Sequence, residues 1–381
     1  MGENSSPADR SGGSRPARPG QAVLAAGLIL LGAILLFALF KNNQVYKSYE
    51  VQEQFSRGGD VSVIYRVVDA GILRCGSNGV AMTGRDGSEL WDQTYDMSSP
   101  VLACSGSYAA VGDRGGAGIY IFDAQGQCGS LTADEPLQDI RISEQGVAAA
   151  VLSDSSSSYI NLYDKTGKLL VSIKATLGDT GYPQTLALSP DGTYLAVSYL
   201  DLSKGKVRTQ LKFYNFSEGA SEKEIYSETI DGICPRIEYL SGTKAAVFKE
   251  KGCSIYSMGD KASKDKEIDF EEDIRSIFTV SGRIGFIFSN SDEKGKYRIR
   301  TYDSSGSEGR SIYFDLDYMN VSAAGDNIVV YNDTRAQGFR FSGRQIFDGT
   351  FESGIISMMP GWDSGTYWVV DDNNMSLIKV K

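Results

Sequence analysis

The sequence predicts an all-β fold, an eight-bladed β-propeller preceded by one N-terminal transmembrane helix, with seven blades as the alternative count. Three observations carry this. A glycine-marked turn occurs at Gly71, Gly106, Gly146, Gly192, Gly242, Gly282, Gly325 and Gly365, in steps of 35, 40, 46, 50, 40, 43 and 40 residues. A second glycine series, at 87, 126, 167, 219, 259, 306 and 343, interleaves with the first at a similar period. Between them the second strand of most repeats is apolar throughout (AAAVL, YLAVSYL, KAAVF, IGFIF, NIVVY, TYWVV), as a strand buried on both faces between blades should be.

The elements follow in chain order. Residues 1–20, MGENSSPADRSGGSRPARPG, have almost nothing to bury and are predicted to be a disordered cytoplasmic tail. Residues 22–40, AVLAAGLILLGAILLFALF, carry no charge. They are long enough to cross a hydrocarbon core of about 30 Å. A cleaved signal peptide would have an apolar run of about 7–15 residues ending in small side chains. This run ends in Phe37, Leu39 and Phe40, so the segment 21–40 is predicted to stay in the lipid bilayer as an anchor. Arg10, Arg15 and Arg18 precede it, while Lys41 and Lys47 follow closely and Arg57 lies further on. That bias predicts a single-pass protein of the cytoplasmic membrane, N-terminus inside and propeller outside.

Residues 41–56 read as a linker and a strand. Val45, Tyr49, Val51 and Phe55 share one face at period two, interrupted by Lys47 and Glu53; a short amphipathic stalk helix is the alternative. The propeller itself spans 57–381. Repeat three shows its plan, LQDIRISEQG, VAAAVLSDSSSS, YINLYDKTG and KLLVSIKATL: four strands separated by a glycine turn, a polar loop and a second turn. The eighth repeat, from Gly354 to the closing MSLIKVK, has only three strands. An open sheet edge recruits other chains. The spare strand at 45–55 is therefore predicted to complete the last blade.

Composition narrows the function classes. The net charge of −10 repels phosphate backbones, which argues against nucleic acid as a partner. With no histidine in the chain, Ser–His and Cys–His catalytic pairs are excluded, as is the commonest metal ligand. The 48 Asp and Glu residues place carboxylate pairs by chance, and no spacing singles one out. The five cysteines form no CxxC pair. They are predicted to be buried free thiols, since Cys234 and Cys253 would sit on strands about 9–10 Å apart, too far for an undistorted bridge. Neither a metal nor a cofactor is predicted.

Individual motifs are mostly structural. In SPDGTYLAVS, residues 189–198, the Asp-Gly pair turns the chain and Ser189 can bond back to the turn. In TGRDGSELW, residues 83–91, Trp91 is placed to pack between blades. Asp371, Asp372, Asn373 and Asn374, and the stretch Asp303–Glu308, miss the calcium-loop pattern and read as solvated loops. The candidate ligand-binding residues are the first-strand arginines Arg66, Arg141, Arg236 and Arg275, which would line the central channel. Converging guanidinium groups suit a carboxylate or phosphate. Their offsets from the next glycine are 5, 5, 6 and 7 residues, however, and pairing with Asp139, Glu238 or Asp273 is the simpler account.

SPDGTYLAVS closely resembles the first hairpin of WD40-like and TolB-type propeller repeats, and TGRDGSELW resembles a quinoprotein-like turn. With YDKTG, YDSSG, the Arg-containing tail and the apolar helix, the chain resembles an uncharacterised family of single-pass membrane-anchored propellers from Gram-positive, clostridial-type bacteria. The resemblance implies a cell-envelope location and no assigned reaction. A non-enzymatic binding or scaffolding module is therefore expected, engaging an envelope protein or cell-wall polymer. The alternative is a carboxylate-based hydrolase or lyase acting on a glycan or peptide in the propeller funnel. Raised carboxyl pKa values in a deep funnel would favour the enzyme, and an exposed apolar rim would favour binding.

Overall fold

In a computed structural model of the chain, glycine turns and short strands alternate along the ring. The structure describes residue 32 and residues 44–57, 63–154, 157–176, 178–203, 205–217, 223–280 and 282–381. The expected tail and, apart from Gly32, the expected anchor lie outside the described residues. Among the described residues no helix is long and apolar enough to cross a membrane.

Among the described residues thirty-two strands form eight antiparallel sheets of four, an all-β propeller of eight blades. The inner strands, in order of blades 1–8, are Ile64–Val68, Pro100–Ser105, Leu137–Ile142, Tyr182–Leu188, Arg236–Ser241, Ile274–Val280, Asn320–Ala324 and Ser357–Pro360. Each blade runs up, down, up and down. The turns after the inner and third strands therefore share one face of the ring, the turn face. The turns after the second strand share the opposite face with the connections between blades, the crossover face.

The first glycine series marks the eight inner hairpins, and the second marks the outer hairpins of blades 1–7, with Gly219 outside the described residues. The reasons for glycine differ. Gly192 has a φ of +73° and closes the SPDG turn. There Ser189 Oγ accepts from Tyr194 N at 2.9 Å and donates to Asp191 Oδ1 at 2.5 Å. Gly71 sits in a strand, where an added Cβ would lie 1.9 Å from the Thr83 carbonyl oxygen; here close approach of two backbones excludes a side chain.

The cores lie between blades. The second strand Ala148–Ser153 is buried at every residue, split between the cluster shared with blade 2 and the one shared with blade 4. Trp91, on the outer strand of blade 1, stacks on Phe122 of blade 2 with ring centroids 5.1 Å apart and planes within 6°. Cys75, Cys234 and Cys253 are buried in such cores, and Cys104 and Cys128 are partly buried. Asp371 departs from the expected solvated loop: it is buried, with Oδ1 accepting from Asn373 N at 2.8 Å and Asn374 N at 2.7 Å.

The fourth strand of blade 8 is Tyr49–Ser56, from the other end of the chain. It pairs through seven residue pairs, from Tyr49↔Val380 to Ser56↔Asn374. Before it, Tyr46 bridges to Phe347 on blade 7, with Tyr46 N donating to Ile346 O at 3.0 Å and Asp348 N donating to Tyr46 O at 2.9 Å. Ser48 and Lys381 exchange two further bonds, Lys381 N to Ser48 O at 2.9 Å and Ser48 Oγ to Lys381 O at 2.8 Å. Tyr49 stacks on Phe351 at 4.7 Å, and Phe55 lies 6.1 Å from Trp368. The simple alternation fails in the middle. A register shift between Val51 and Glu53 leaves Val51 exposed, while Glu53 is half-buried with Tyr49 and Phe55 on the face the alternation gives it.

Candidate functional site

The inner strands enclose a channel. Its largest described cavity, about 680 Å³, is lined by Arg66, Cys104, Arg141, Glu144, Glu238 and Tyr239, among others. Each polar group is placed by a short strand whose alternate residues point into blade interfaces, so Ile140, Ile142 and Ile237 pack inward while Arg141 and Glu238 face the channel.

The four arginines divide. Arg66 is exposed in the cavity, where its Nη1 donates to Tyr65 O at 2.9 Å. Arg141 shares that cavity and pairs with Asp139 Oδ1 at 2.7 Å. Arg236 pairs with Glu238 at 3.0 Å and crosses to blade 6, donating to Ile277 O at 3.2 Å and Thr279 Oγ1 at 3.1 Å. Arg275 is exposed and donates to Ser289 Oγ at 2.9 Å; Asp273 instead faces Lys251 at 3.4 Å. One cavity thus collects two of the four guanidinium groups, and two carboxylates, Glu144 and Glu238, oppose them. A second cavity of about 580 Å³ at the turn-face mouth shares Cys104, Ser105 and Glu144 with the first and adds Asp69, Asp326 and Arg340. Its wall is braced by Trp362, whose Nε1 donates to Val68 O at 3.1 Å beneath the Arg85 guanidinium.

Hydrogen bonds and ion pairs hold several carboxylates of the ring in the ionised form. Every carboxyl with a displaced titration moves downward, among them Asp191, Asp201, Glu228 and Glu308. Burial opposes ionisation at Asp191 and Glu228, but hydrogen bonds from Ser189 and Lys264 outweigh it. A glycosidase-type acid needs the reverse, a carboxyl held protonated. Burial pushes the Cys104 thiol up to about 12, and the nearby Arg66 charge only partly offsets this. Among the described residues no group of three or more Cys, Asp or Glu is placed to hold a metal ion.

The exposed apolar side chains are placed unevenly. Of nine large ones among the described residues, five sit on the crossover face: Tyr182, Leu202, Val207, Met319 and Ile356. Val51, Leu90, Leu169 and Leu170 lie on outer strands. The sequence alone did not mark the first five, because which loop residues stay exposed depends on how neighbouring blades pack. The acidic runs of the crossovers were visible as residues, such as Glu271, Glu272 and Asp273, but their common face was not.

Comparison with solved structures identifies the fold alone. BamB from Moraxella catarrhalis is similar with a TM-score of 0.53 at 11% identity, over 87% of this chain and 100% of that one. A eukaryotic initiation factor is similar with a TM-score of 0.55 at 13% identity, over 87% of this chain and 86% of that one. No curated protein sequence matches the chain. One family description matches residues 42–380, the whole ring and its closing strand, and the chain belongs to that family, DUF5711, a family of unknown function.

Proposed function

We propose that the protein is a binding or scaffolding module of the cell envelope, held to the cytoplasmic membrane by residues 21–40, with the propeller outside. The observation that carries the binding reading is the concentration of exposed Tyr182, Leu202, Val207, Met319 and Ile356 on the crossover face of a closed ring. They fall in two groups, Tyr182, Leu202 and Val207 on blade 4 and Met319 and Ile356 on the adjacent blades 7 and 8, and grouped apolar side chains suit an interaction surface where scattered single ones would not. The channel supports the same reading, since its arginines and carboxylates oppose one another. Function on a propeller is set by such grafted surfaces and not by the fold.

Two experiments test this. An alkaline-phosphatase fusion after Lys381 should be active in a bacterial host; an inactive fusion beside an active cytoplasmic reporter would reverse the topology. Chemical crosslinking of the intact protein in its own membrane should trap a defined partner. A protein recovered only as itself, together with hydrolysis of an envelope glycan or peptide by the purified chain, would replace the binding reading with the carboxylate enzyme.

A further inference from the structure

The crossover face is acidic as well as apolar, and the two properties meet at one place. The eight crossovers carry Asp134, Glu135, Glu271, Glu272, Asp273 and Glu352, among other carboxylates, against Arg57 as their one basic residue among the described residues. They hold nearly all of an imbalance equal to the formal charge of the chain, −10. Met319 and Ile356 each stand immediately before an inner strand, on the neighbouring blades 7 and 8 whose inner strands pack together. Met319 is 71% exposed and Ile356 45%. Carboxylates share their connections, Asp315 and Asp317 with Met319 and Glu352 with Ile356. Ile355 N donates to Asp333 O at 2.7 Å, which joins the turn that carries the exposed Asp333 to the crossover that carries Ile356. Asn332 Nδ2 donates to Asp317 O at 3.0 Å, which ties Asp317 and Met319 to the same turn. Glu352 is exposed on the same crossover as Ile356. The basic residues nearby are already engaged, Lys296 with Asp317 at 2.8 Å and Arg335 with Asp348 at 2.8 Å, while Asp333 and Glu352 form no ion pair.

We propose that this surface docks a basic segment of a partner protein, placing an apolar side chain over Met319 and Ile356 and its Lys or Arg residues against Asp333 and Glu352. Charge complementarity selects the occupant. An apolar contact alone would accept many proteins, but a net acidic surround steers cations to the patch and repels anionic polymers such as phosphate-containing wall chains. The inference rests on the binding reading above and adds the chemistry of the partner and the place where it sits.

The test uses the full chain in its native membrane, with photoreactive benzoylphenylalanine at position 319 or, on the turn face, at position 107. Irradiation should give an adduct from position 319 that maps to a Lys- or Arg-rich protein segment. Its yield should fall at least fivefold in 0.5 M salt, where screening shortens to a few Å (about 4 Å), and in the double variant Asp333→Lys, Glu352→Lys. The control Asp363→Lys, on the turn face, should leave the yield unchanged. Asp333 and Glu352 are exposed, and melting of the double variant verifies that it still folds. An adduct from position 319 that is a glycan, maps to a neutral or acidic segment, or ignores salt and charge reversal overturns the inference but leaves the binding reading standing. Adducts from position 107 alone do the same. No adduct from either position overturns both.

Discussion

Deleting the strand Tyr49–Ser56 should open the ring. A chain beginning at Gly58 loses seven ladder pairs with Asn374–Val380 and two aromatic contacts. Phe55 is the larger of these. It packs against Trp368 and sits so close to the Gly87 turn of blade 1 that a Cβ there would lie 2.1 Å from its ring. A fully buried Phe truncated to Ala costs 3–5 kcal/mol, and Phe55 is half-buried, so Phe55→Ala should cost about 2 kcal/mol. Loss of the Tyr49 stack on Phe351 adds about 1 kcal/mol. Deletion therefore removes at least about 3 kcal/mol, a large part of the roughly 5–15 kcal/mol that holds a typical domain. With an unfolding entropy near 0.7 kcal/mol/K for a ring of this length, the melting temperature should drop by at least about 4 °C. The bared edge of Asn374–Val380 should also make the protein associate as concentration rises. Thermal melts and light scattering at two concentrations, comparing chains that begin at Lys41 and at Gly58, read both effects. Phe55→Ala in the longer chain should fall between them, and Val51→Ala, at an exposed position of the same strand, should match the parent. A chain beginning at Gly58 that is monomeric and melts within 1 °C of the longer one would refute the closure argument.

Further outcomes follow from single residues. Gly71→Ala should destabilise the ring by about 2 kcal/mol or more, because its Cβ meets the Thr83 carbonyl. Gly242→Ala has open space around it and no positive φ, so it should be neutral or stabilising by up to about 1 kcal/mol; equal melting shifts for the two would contradict this. Trp91→Ala should cost about 2–3 kcal/mol through its stack on Phe122, read by denaturant unfolding. Asp201 is held at about 2 by the Ser203 hydroxyl and amide and by Arg208. Its folded pKa lies below the ordinary value near 3.9, so its stabilisation is present above about pH 4 and is lost as pH falls towards 2. Melting temperature against pH should therefore fall less steeply over that window in Asp201→Asn, and parallel curves would refute the assignment. Burial pushes Cys104 and Cys253 up to about 12 and Cys234 up to about 11, so Ellman's reagent at pH 8 should modify Cys128 first in the native protein. Uniform fast reaction of all five thiols would contradict that order.

Blade number and closure were legible in the sequence because each depends on strictly local chemistry. Most of these hairpins need a positive φ or a close backbone approach, which glycine supplies, so turns can be counted without knowing what packs on what. The three-stranded last repeat then demanded a strand from elsewhere, and period-two alternation pointed to 45–55. The same alternation misassigned Val51, because a register shift is set by the partner strand and leaves no local mark. Trp91 was readable as a wedge between blades, since a large aromatic after an outer turn has only the next blade to meet. The arginines were harder. Arg66 and Arg141 share an offset of five from their glycines and share a cavity, whereas Arg236 and Arg275 deviate and find other partners. The apolar patch at Met319 and Ile356 had no signal at all, since exposure of a residue between two strands depends on how neighbouring blades pack.

The bonds between Ser48 and Lys381 join positions 333 apart, and this sets an order of events during synthesis. At about 5–20 residues per second, the strand Tyr49–Ser56 leaves the ribosome tens of seconds before the strand it pairs with. Through that interval Tyr49 and Phe55 have no lasting partner, while blades 1–7 can form in turn from contacts close in sequence. Ring closure is then the slowest and most non-local step. Every chain interrupted before Asn374 is left with a displaced first strand, an exposed aromatic pair and an open sheet, features a quality-control protease can recognise. Only the finished polypeptide hides them.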